Sequence, residues 1–345
     1  MKTAIVTGAT SMLGVATIKA MLTNRNIEKV FAIVQPNSKN IRKLPVDDRI
    51  VIIESLARDY KQLSVLIHEQ CDVFYHFAWE PSLIKDRSRY FDIDVARRNI
   101  GYALDAYDTA YKLGCKSFIG AGSQAEYGSI RKEVQRPEDW TNPITTYGIA
   151  KDTVRRLLEV KSSQYGVAVQ WVRIFSVYGV NDRTNTLVSS ILRKMLKNES
   201  IDLTMCQQIW DYLYDEDAGR ALYVIGEYAK GSNVYCLGSG NPRPLKDFIE
   251  EMQRITESCS RINYGAIAYG KSDVMCLNPD ITSLTKDTGW LPKVSFEDGI
   301  QMIINSIMCE KIVDSGGDSL LTICHKTSNR YMHNGVSIER GDYYA

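Results

Sequence analysis

The feature that most restricts the fold is a short apolar run ending on a glycine turn that hands over to an amphipathic stretch. Ala4-Ile5-Val6 reads as a buried strand, Gly8-Ala9-Thr10-Ser11-Met12-Leu13-Gly14 as the turn, and the residues to about Leu22 as a helix. The pattern then repeats. Residues 30–34, 50–53, 73–77 and 118–121 read as strands, separated by helical patterns around 59–70 and 94–113, and 169–174 follows a helix that begins near Tyr147. Such alternation predicts an α/β fold of the Rossmann type, a doubly wound parallel sheet with helices on both faces.

From about residue 178 the character changes to loops, a helix around 186–197, a return strand near 234–237 and a helix at 244–257. The expected division gives 1–177 to a dinucleotide-binding domain, with a return segment at about 205–237. A smaller, interleaved C-terminal substrate domain takes 178–204 and 238–310, and 311–345 forms a polar tail of unassigned role. Hydrophobic residues at 44% and 345 residues in all supply a sizeable core. Forty-two basic against forty-one acidic residues leave no electrostatic footprint for nucleic acid. No apolar stretch approaches the ~18 residues of a membrane span, and residues 1–7 are too short for the apolar core of a secretion signal. Eight scattered cysteines without a Cys-x-x-Cys argue for reduced, buried thiols in a cytoplasmic protein with no metal site.

In the first turn, Gly8 permits the tight bend and Gly14 close helix–sheet packing, while the helix N-terminus can hold a pyrophosphate. Ser11 stands at the middle glycine position, where its side chain must point away or donate to phosphate. At the end of the second strand, readers of NAD place a carboxylate for the ribose 2′-hydroxyl. Here Gln35 stands instead, with Lys39, Arg42 and Lys43 just downstream, which favours NADP(H) and leaves NAD(H) as the alternative. A solvated basic loop explains the same three cations.

Tyr147 and Lys151 stand four apart and share a helix face. An ammonium beside a phenol favours phenolate and lowers its pKa toward the range of a general acid or base. Ser123 follows the strand 118–121 at the carboxyl edge of the sheet, where it can bond the oxygen that Tyr147 protonates.

Over roughly residues 1–308 the chain resembles the extended short-chain dehydrogenase/reductase family, the NAD-dependent epimerase/dehydratase group of nucleotide-sugar enzymes. The resemblance rests on ordered matches: the glycine turn, His76-Phe77-Ala78, Asn99, Ser123 with Tyr127-Gly128, Tyr147/Lys151, and Arg173-Ile174-Phe175-Ser176-Val177-Tyr178-Gly179. Trp210-Asp211-Tyr212-Leu213-Tyr214 and Gly289-Trp290-Leu291-Pro292 complete it. It implies Ser123, Tyr147 and Lys151 as the catalytic set, with Lys151 also binding nicotinamide ribose. Cofactor contacts are implied for the turn residues Gly8, Thr10, Ser11, Met12, Leu13 and Gly14, and for Gln35. Phe77, Ala78, Trp79, Asn99, Ile174 and Val177 extend that set, beside Tyr147 and Lys151. Trp79 serves equally as packing, Asn99 either supports Lys151 through water or makes a structural bond, and His76 reads as a satisfied strand histidine. Substrate contacts are implied for Ser123, Gln124, Ser176, Arg183, Leu187, Gln208 and Arg243. The helices at 94–113 and 147–165 resemble those through which the family forms homodimers.

Three departures narrow the implied activity. Sugar 4,6-dehydratases of the family carry Asp-Glu directly after the serine or threonine, whereas Gln124 and Ala125 stand here. Glu126 is one residue late and, read as part of the strand, points to the opposite face. Ser176 replaces a usual Asn, and Trp210 replaces an Arg that clamps a diphosphate, which an indole cannot do. The expected function is an NAD(P)-dependent oxidoreductase that reduces the C4 carbonyl of a nucleotide-activated keto-deoxy-sugar. A 4-epimerase with retained NAD is the close alternative, and a non-catalytic dinucleotide-binding regulator the more distant one.

Overall fold

A computed structural model describes residues 1–81, 87–129, 133–270 and 273–314. The expectation for 311–345 therefore lies, from residue 315, outside the described residues, as does Cys324.

The strands, numbered along the chain, are β1 (Thr3–Thr7), β2 (Lys29–Val34), β3 (Ile50–Glu54), β4 (Val73–His76), β5 (Ser117–Ser123), β6 (Ala168–Ile174) and β7 (Ser176–Tyr178). They continue as β8 (Ile201–Leu203), β9 (Ile209–Trp210), β10 (Tyr212–Tyr214), β11 (Asn233–Leu237), β12 (Arg243–Pro244) and β13 (Ile262–Tyr264). The helices are α1 (Met12–Leu22), α2 (Leu63–Leu66), α3 (Ile93–Lys112), α4 (Thr146–Tyr165), α5 (Leu187–Met195), α6 (Asp215–Tyr228), α7 (Leu245–Thr256), α8 (Thr282–Thr288) and α9 (Phe296–Asp314).

Seven strands form one parallel sheet in the order β11-β6-β5-β4-β1-β2-β3. Alternation along each strand explains why both faces are covered. Ala4 and Val6 of β1 and Tyr75 of β4 enter a core with Val15, Ile18 and Met21 of α1 and Ala218, Leu222 and Ile225 of α6. Their neighbours Ile5 and Phe74 point the other way, to Ala103, Ala106 and Tyr107 of α3 and Val154 and Leu158 of α4. A strand apolar on both faces is what a parallel sheet between two helix layers requires. The strand order reverses between β1 and β4, so a crevice opens there at the carboxyl edge, the usual ligand position of open α/β sheets.

A separate apolar cluster gathers residues after 177. Val188, Leu192 and Met195 of α5, Ile201 and Leu203 of β8, Ile249 and Met252 of α7, and Ile300, Ile303 and Ile307 of α9 pack together there. The segment between them returns to the first layer: α6 lies against α1, and β11 joins the sheet edge beside β6. The Gly289-Trp290 motif acts here as a fastening. Trp290 donates from Nε1 to the Asp217 carbonyl (3.1 Å), and the buried Asp217 carboxylate accepts from the Lys293 and Val294 amides at 2.9 and 2.8 Å.

Two local expectations change. The helical pattern at 59–70 is broken into a 3-10 segment, Ala57–Gln62, and the single turn α2. Only Tyr60, Leu63 and Ile67 of this stretch are buried, too few apolar positions to hold a longer helix against the sheet. Cysteines 71, 115, 206 and 236 are buried, but Cys259 is exposed. Among the described residues no helix is long and apolar enough to cross a membrane.

Candidate active site

The crevice holds a cavity of about 840 Å³. At its floor is the glycine turn. Gly8 has φ +66°, and a Cβ there would lie 2.8 Å from the Ala78 amide nitrogen, so the position demands glycine on two counts. A Cβ on Gly14 would run into the Gly8 carbonyl, which fits its expected part in close packing. Ser11 explains the missing middle glycine: its hydroxyl accepts from the Gly14 amide at 3.1 Å and caps α1. The N-terminus of α1 thus opens onto the cavity, with Thr10, Met12 and Leu13 beside it, in the arrangement that accepts a phosphate. A turn without room for side chains at the head of a helix is the feature a dinucleotide needs, and these residues fit one.

Gln35, Phe77, Ala78, Trp79 and Asn99 line the same cavity. Of the three downstream cations, only Lys43 reaches it; Lys39 and Arg42 do not line it. Sequence reasoning missed Arg58, Ser38 and Asn40, which join Lys43 and Gln35 in the lining. Arg58 lies beyond β3, just before the stretch read as helix at 59–70, so no signal pointed to it. Ile174 and Val177 line neither this cavity nor a second of about 330 Å³ next to it. Val177 packs instead against the core between β1 and α6, and so does Ile174.

The second cavity is lined by Trp79, Tyr90, Thr146, Tyr147 and Arg183, among others. Trp79 and Arg183 line both cavities. Tyr147 sits in the first turn of α4, where Thr145 caps the helix by accepting from the Gly148 amide at 3.1 Å. Ser123 ends β5 and is buried. Lys151, one turn along α4, is buried and donates from Nζ to the Ala121 carbonyl at 2.7 Å. Its ammonium also lies over the Trp79 ring, 3.6 Å from the centroid, and Trp79 meets Tyr147 edge-on at 5.8 Å. The structure therefore brings Tyr147 and Lys151 together at one indole, and the Ser123 hydroxyl lies within hydrogen-bond reach of Tyr147.

Their ionisation departs from expectation. Burial pushes the Tyr147 phenol above its usual pKa, the Ser123 hydroxyl beside it draws it back, Glu126 pushes it up again, and Arg183 lowers it. Lys151 is not what governs it. Burial lowers Lys151 itself to about 7, with Glu126 the group that holds it up. The expected lowering of the phenol by the ammonium is outweighed because both groups are desolvated.

That shift predicts a pH dependence of stability. Lys151 titrates near 7 in the fold against 10.5 ordinarily, so between these values the unfolded chain binds the extra proton and stability rises with pH. Below about 7 both states hold the proton and the cost of the buried charge is fully present. Urea unfolding midpoints of Lys151→Met should accordingly rise less than wild type from pH 7 to about 10; parallel midpoints in the two proteins would contradict the shift.

The remaining candidates fall into three groups. His76 is buried, shares a 2.9 Å hydrogen bond through Nδ1 with the Thr7 hydroxyl, and is pushed down to about 3 by burial and then by Lys151, as a satisfied strand histidine should be. Asn99 takes its structural role: it accepts from the Glu80 amide at 2.8 Å and donates to the Glu80 and Val95 carbonyls at 2.9 and 3.0 Å. Arg98 pairs with the Glu80 carboxylate at 2.7 Å, so α3 fixes the exit of β4 that carries Trp79. Of the substrate set outside the catalytic residues, Arg183 alone lines these two cavities. Gln208 accepts from the Tyr269 hydroxyl at 2.8 Å, and Arg243 pairs with Glu251 and stacks 4.0 Å over Phe248. Ser176 lies in β7 and Leu187 opens α5, away from both linings. Gln124 carries a buried Oε1 without a hydrogen-bond partner among the described residues, and so does Trp210 at Nε1. Trp210 faces Arg243 across β9 and β12 and packs between two apolar clusters.

The model of the NAD dependent epimerase/dehydratase family matches residues 4–238. The chain belongs to this family. Among its epimerase/dehydratase relatives, CDP-abequose synthase of Salmonella muenchen is 30% identical over 136 residues, 39% of this chain and 46% of that protein. dTDP-4-dehydro-6-deoxyglucose reductase of Escherichia coli is 25% identical over 211 residues, 59% of this chain and 65% of the reductase. The chain thus spans between about half and two thirds of these two relatives. UDP-glucose 4-epimerase of Thermotoga maritima, solved with UDP-glucose, shares the fold with a TM-score of 0.77 at 21% identity, over 89% of this chain and 99% of that one. DesIV, the dTDP-glucose 4,6-dehydratase of Streptomyces venezuelae solved with NAD and TYD, gives 0.78 at 18% identity, over 89% and 97%.

Proposed function

We propose that the chain is an NADP(H)-linked reductase acting on the C4 ketone of a nucleotide-activated deoxy-sugar. The observation that carries this reading is a complete proton-delivery set without elimination acids. Ser123, Tyr147 and Lys151 converge, while Gln124 and Ala125 follow Ser123 on a turn that offers no acid–base pair. One relative, dTDP-4-dehydro-6-deoxyglucose reductase, is named for this reaction.

Ketone reduction adds a hydride to carbon and a proton to oxygen. A bound reduced nicotinamide supplies the hydride. Tyr147 gives its phenolic proton to the carbonyl oxygen, and burial, by keeping the phenol protonated, suits it to act as an acid. Ser123 holds that oxygen by hydrogen bond, and the Lys151 ammonium, on the same helix face, stabilises the phenolate left behind. Arg183 is suited to the diphosphate, since Trp210 cannot clamp it and Arg243 is held by Glu251. NADP(H) is favoured because Lys43 and Arg58 line the cavity with Gln35 in place of a carboxylate. We further assign a homodimer through α3 and α4, where Ile149, Leu157 and Val160 of α4 lie exposed.

The test is purified protein with NADPH and a panel of nucleotide-activated 4-keto-6-deoxy-sugars. One NADPH oxidised per alcohol formed is the expected result. Interconversion of sugars without added cofactor would instead mean a 4-epimerase, and nucleotide binding without any conversion a non-catalytic regulator.

A further inference from the structure

We infer that Glu126 is a positioning residue of this active site: its buried carboxylate fixes the backbone that presents Ser123 and supplies the negative charge behind Tyr147 and Lys151. The inference rests on the proton-transfer reading above. Glu126 does not extend β5 toward the opposite face, because the strand ends at Ser123 and 124–127 form a 3-10 turn. The turn folds Glu126 back beneath the strand end, where it is 0% exposed.

Every contact of that carboxylate is a donor. The Ser123 amide donates to Oε1 at 2.8 Å, Trp171 Nε1 to both oxygens at 3.0 and 3.1 Å, and Arg173 Nε to Oε2 at 2.9 Å. No acceptor among these contacts waits for an acid proton; burial raises the pKa of the carboxyl, and Arg173, the Ser123 amide and Trp171 draw it back toward the ionised form. Ser123 Oγ in turn accepts from the Ala125 amide at 3.2 Å, which closes a reciprocal cap around the turn. Gly122, between Ala121 and Ser123, admits the arrangement: a Cβ there would lie 2.5 Å from Trp171 Nε1 and 2.8 Å from Glu126 Oε1. The same three-residue strand end therefore holds Lys151 through the Ala121 carbonyl and Glu126 through the Ser123 amide.

The Glu126 carboxylate biases both proton-handling groups the same way, adding to the rise that burial gives the Tyr147 phenol and opposing the fall that burial gives the Lys151 ammonium. The other groups facing Lys151 are His76 of β4 and the Trp79 ring, besides Tyr147 of its own helix. Facing Glu126 from β6 is Arg173, which also donates to the Tyr127 hydroxyl and the Pro137 carbonyl, each at 2.9 Å. Facing Tyr147 are Tyr90 and Arg183. A purely structural ion pair would be expendable as a pair; a positioning carboxylate would not.

The test uses Glu126→Gln and the double variant Glu126→Met/Arg173→Met, which removes both buried charges and so avoids an unpaired guanidinium. Lys151 is titrated by NMR of lysine labelled at its ε-carbon, assigned with Lys151→Met, and kcat and KM are measured with NADPH and the keto-sugar substrate. In both variants the Lys151 titration should move to lower pH by about one unit or more, and kcat should fall about tenfold or more with NADPH affinity within twofold of wild type. A double variant with wild-type Lys151 titration and wild-type kcat would overturn the inference and leave Glu126 as half of a structural pair. Because the titration needs no substrate, a shift in Lys151 without any ketone reduction would uphold Glu126 while refuting the proposed reaction.

Discussion

Replacing Tyr147 by Phe is expected to lower turnover by about 100- to 10,000-fold, the usual contribution of a positioned general acid. The ring itself stays, so its edge contact with Trp79 at 5.8 Å and the packing of the α4 N-terminus are kept. NADPH affinity, read by fluorescence titration, should therefore change little. Only the proton is lost, which places the effect in kcat and leaves KM nearly unchanged. Turnover within a few-fold of wild type would mean that some other group protonates the oxygen.

Arg173→Met should have the largest effect on stability, about 3–5 kcal/mol. The guanidinium is 2% exposed, and its loss leaves the Glu126 carboxylate buried with its counter-charge removed. The Tyr127 hydroxyl and the Pro137 carbonyl lose a partner as well. For a domain of ordinary stability, about 5–15 kcal/mol, this is a substantial fraction, and it should appear as a lower urea midpoint with an unchanged slope. The effect should be smaller at acid pH, where the stranded Glu126 can take up a proton. A midpoint within about 0.5 kcal/mol of wild type would show that the pair contributes nothing to the fold.

The sheet was legible because its strands are apolar on both faces, a pattern that survives without knowledge of partners. Ala4-Ile5-Val6 can be read as a buried parallel strand from its residues alone, and its alternating contacts to α1/α6 and α3/α4 follow from strand geometry. Ser123, Tyr147 and Lys151 were legible for a related reason: their chemistry depends on local spacing and on the sheet edge. What could not be read depends on distant pairing. Glu126 meets Arg173 across 47 positions, and only the turn at Gln124–Tyr127 reveals that the two face each other. The pKa of Tyr147 was misjudged because a helix wheel shows the neighbouring ammonium and hides the desolvation that dominates both groups. Arg243 and Gln208 read as substrate contacts, yet Glu251 and Tyr269 already engage them. Arg58 gave no signal because a cation beyond β3 is ordinary until the fold folds it toward Gln35 and Lys43.

The central claim, that hydride passes from an exchangeable cofactor to the sugar C4 while Tyr147 supplies the proton, is tested most directly by isotope transfer. Purified protein would be given NADPH deuterated at the nicotinamide C4, in each stereochemical form, together with a nucleotide-activated 4-keto-6-deoxy-sugar, and the product examined by mass and NMR. With one of the two forms, the account predicts one deuterium, located at C4 of the sugar, in every product molecule. It predicts no detectable transfer by Tyr147→Phe over the same time. Product that carries no deuterium with either form, or conversion that proceeds equally without added NADPH, would contradict it.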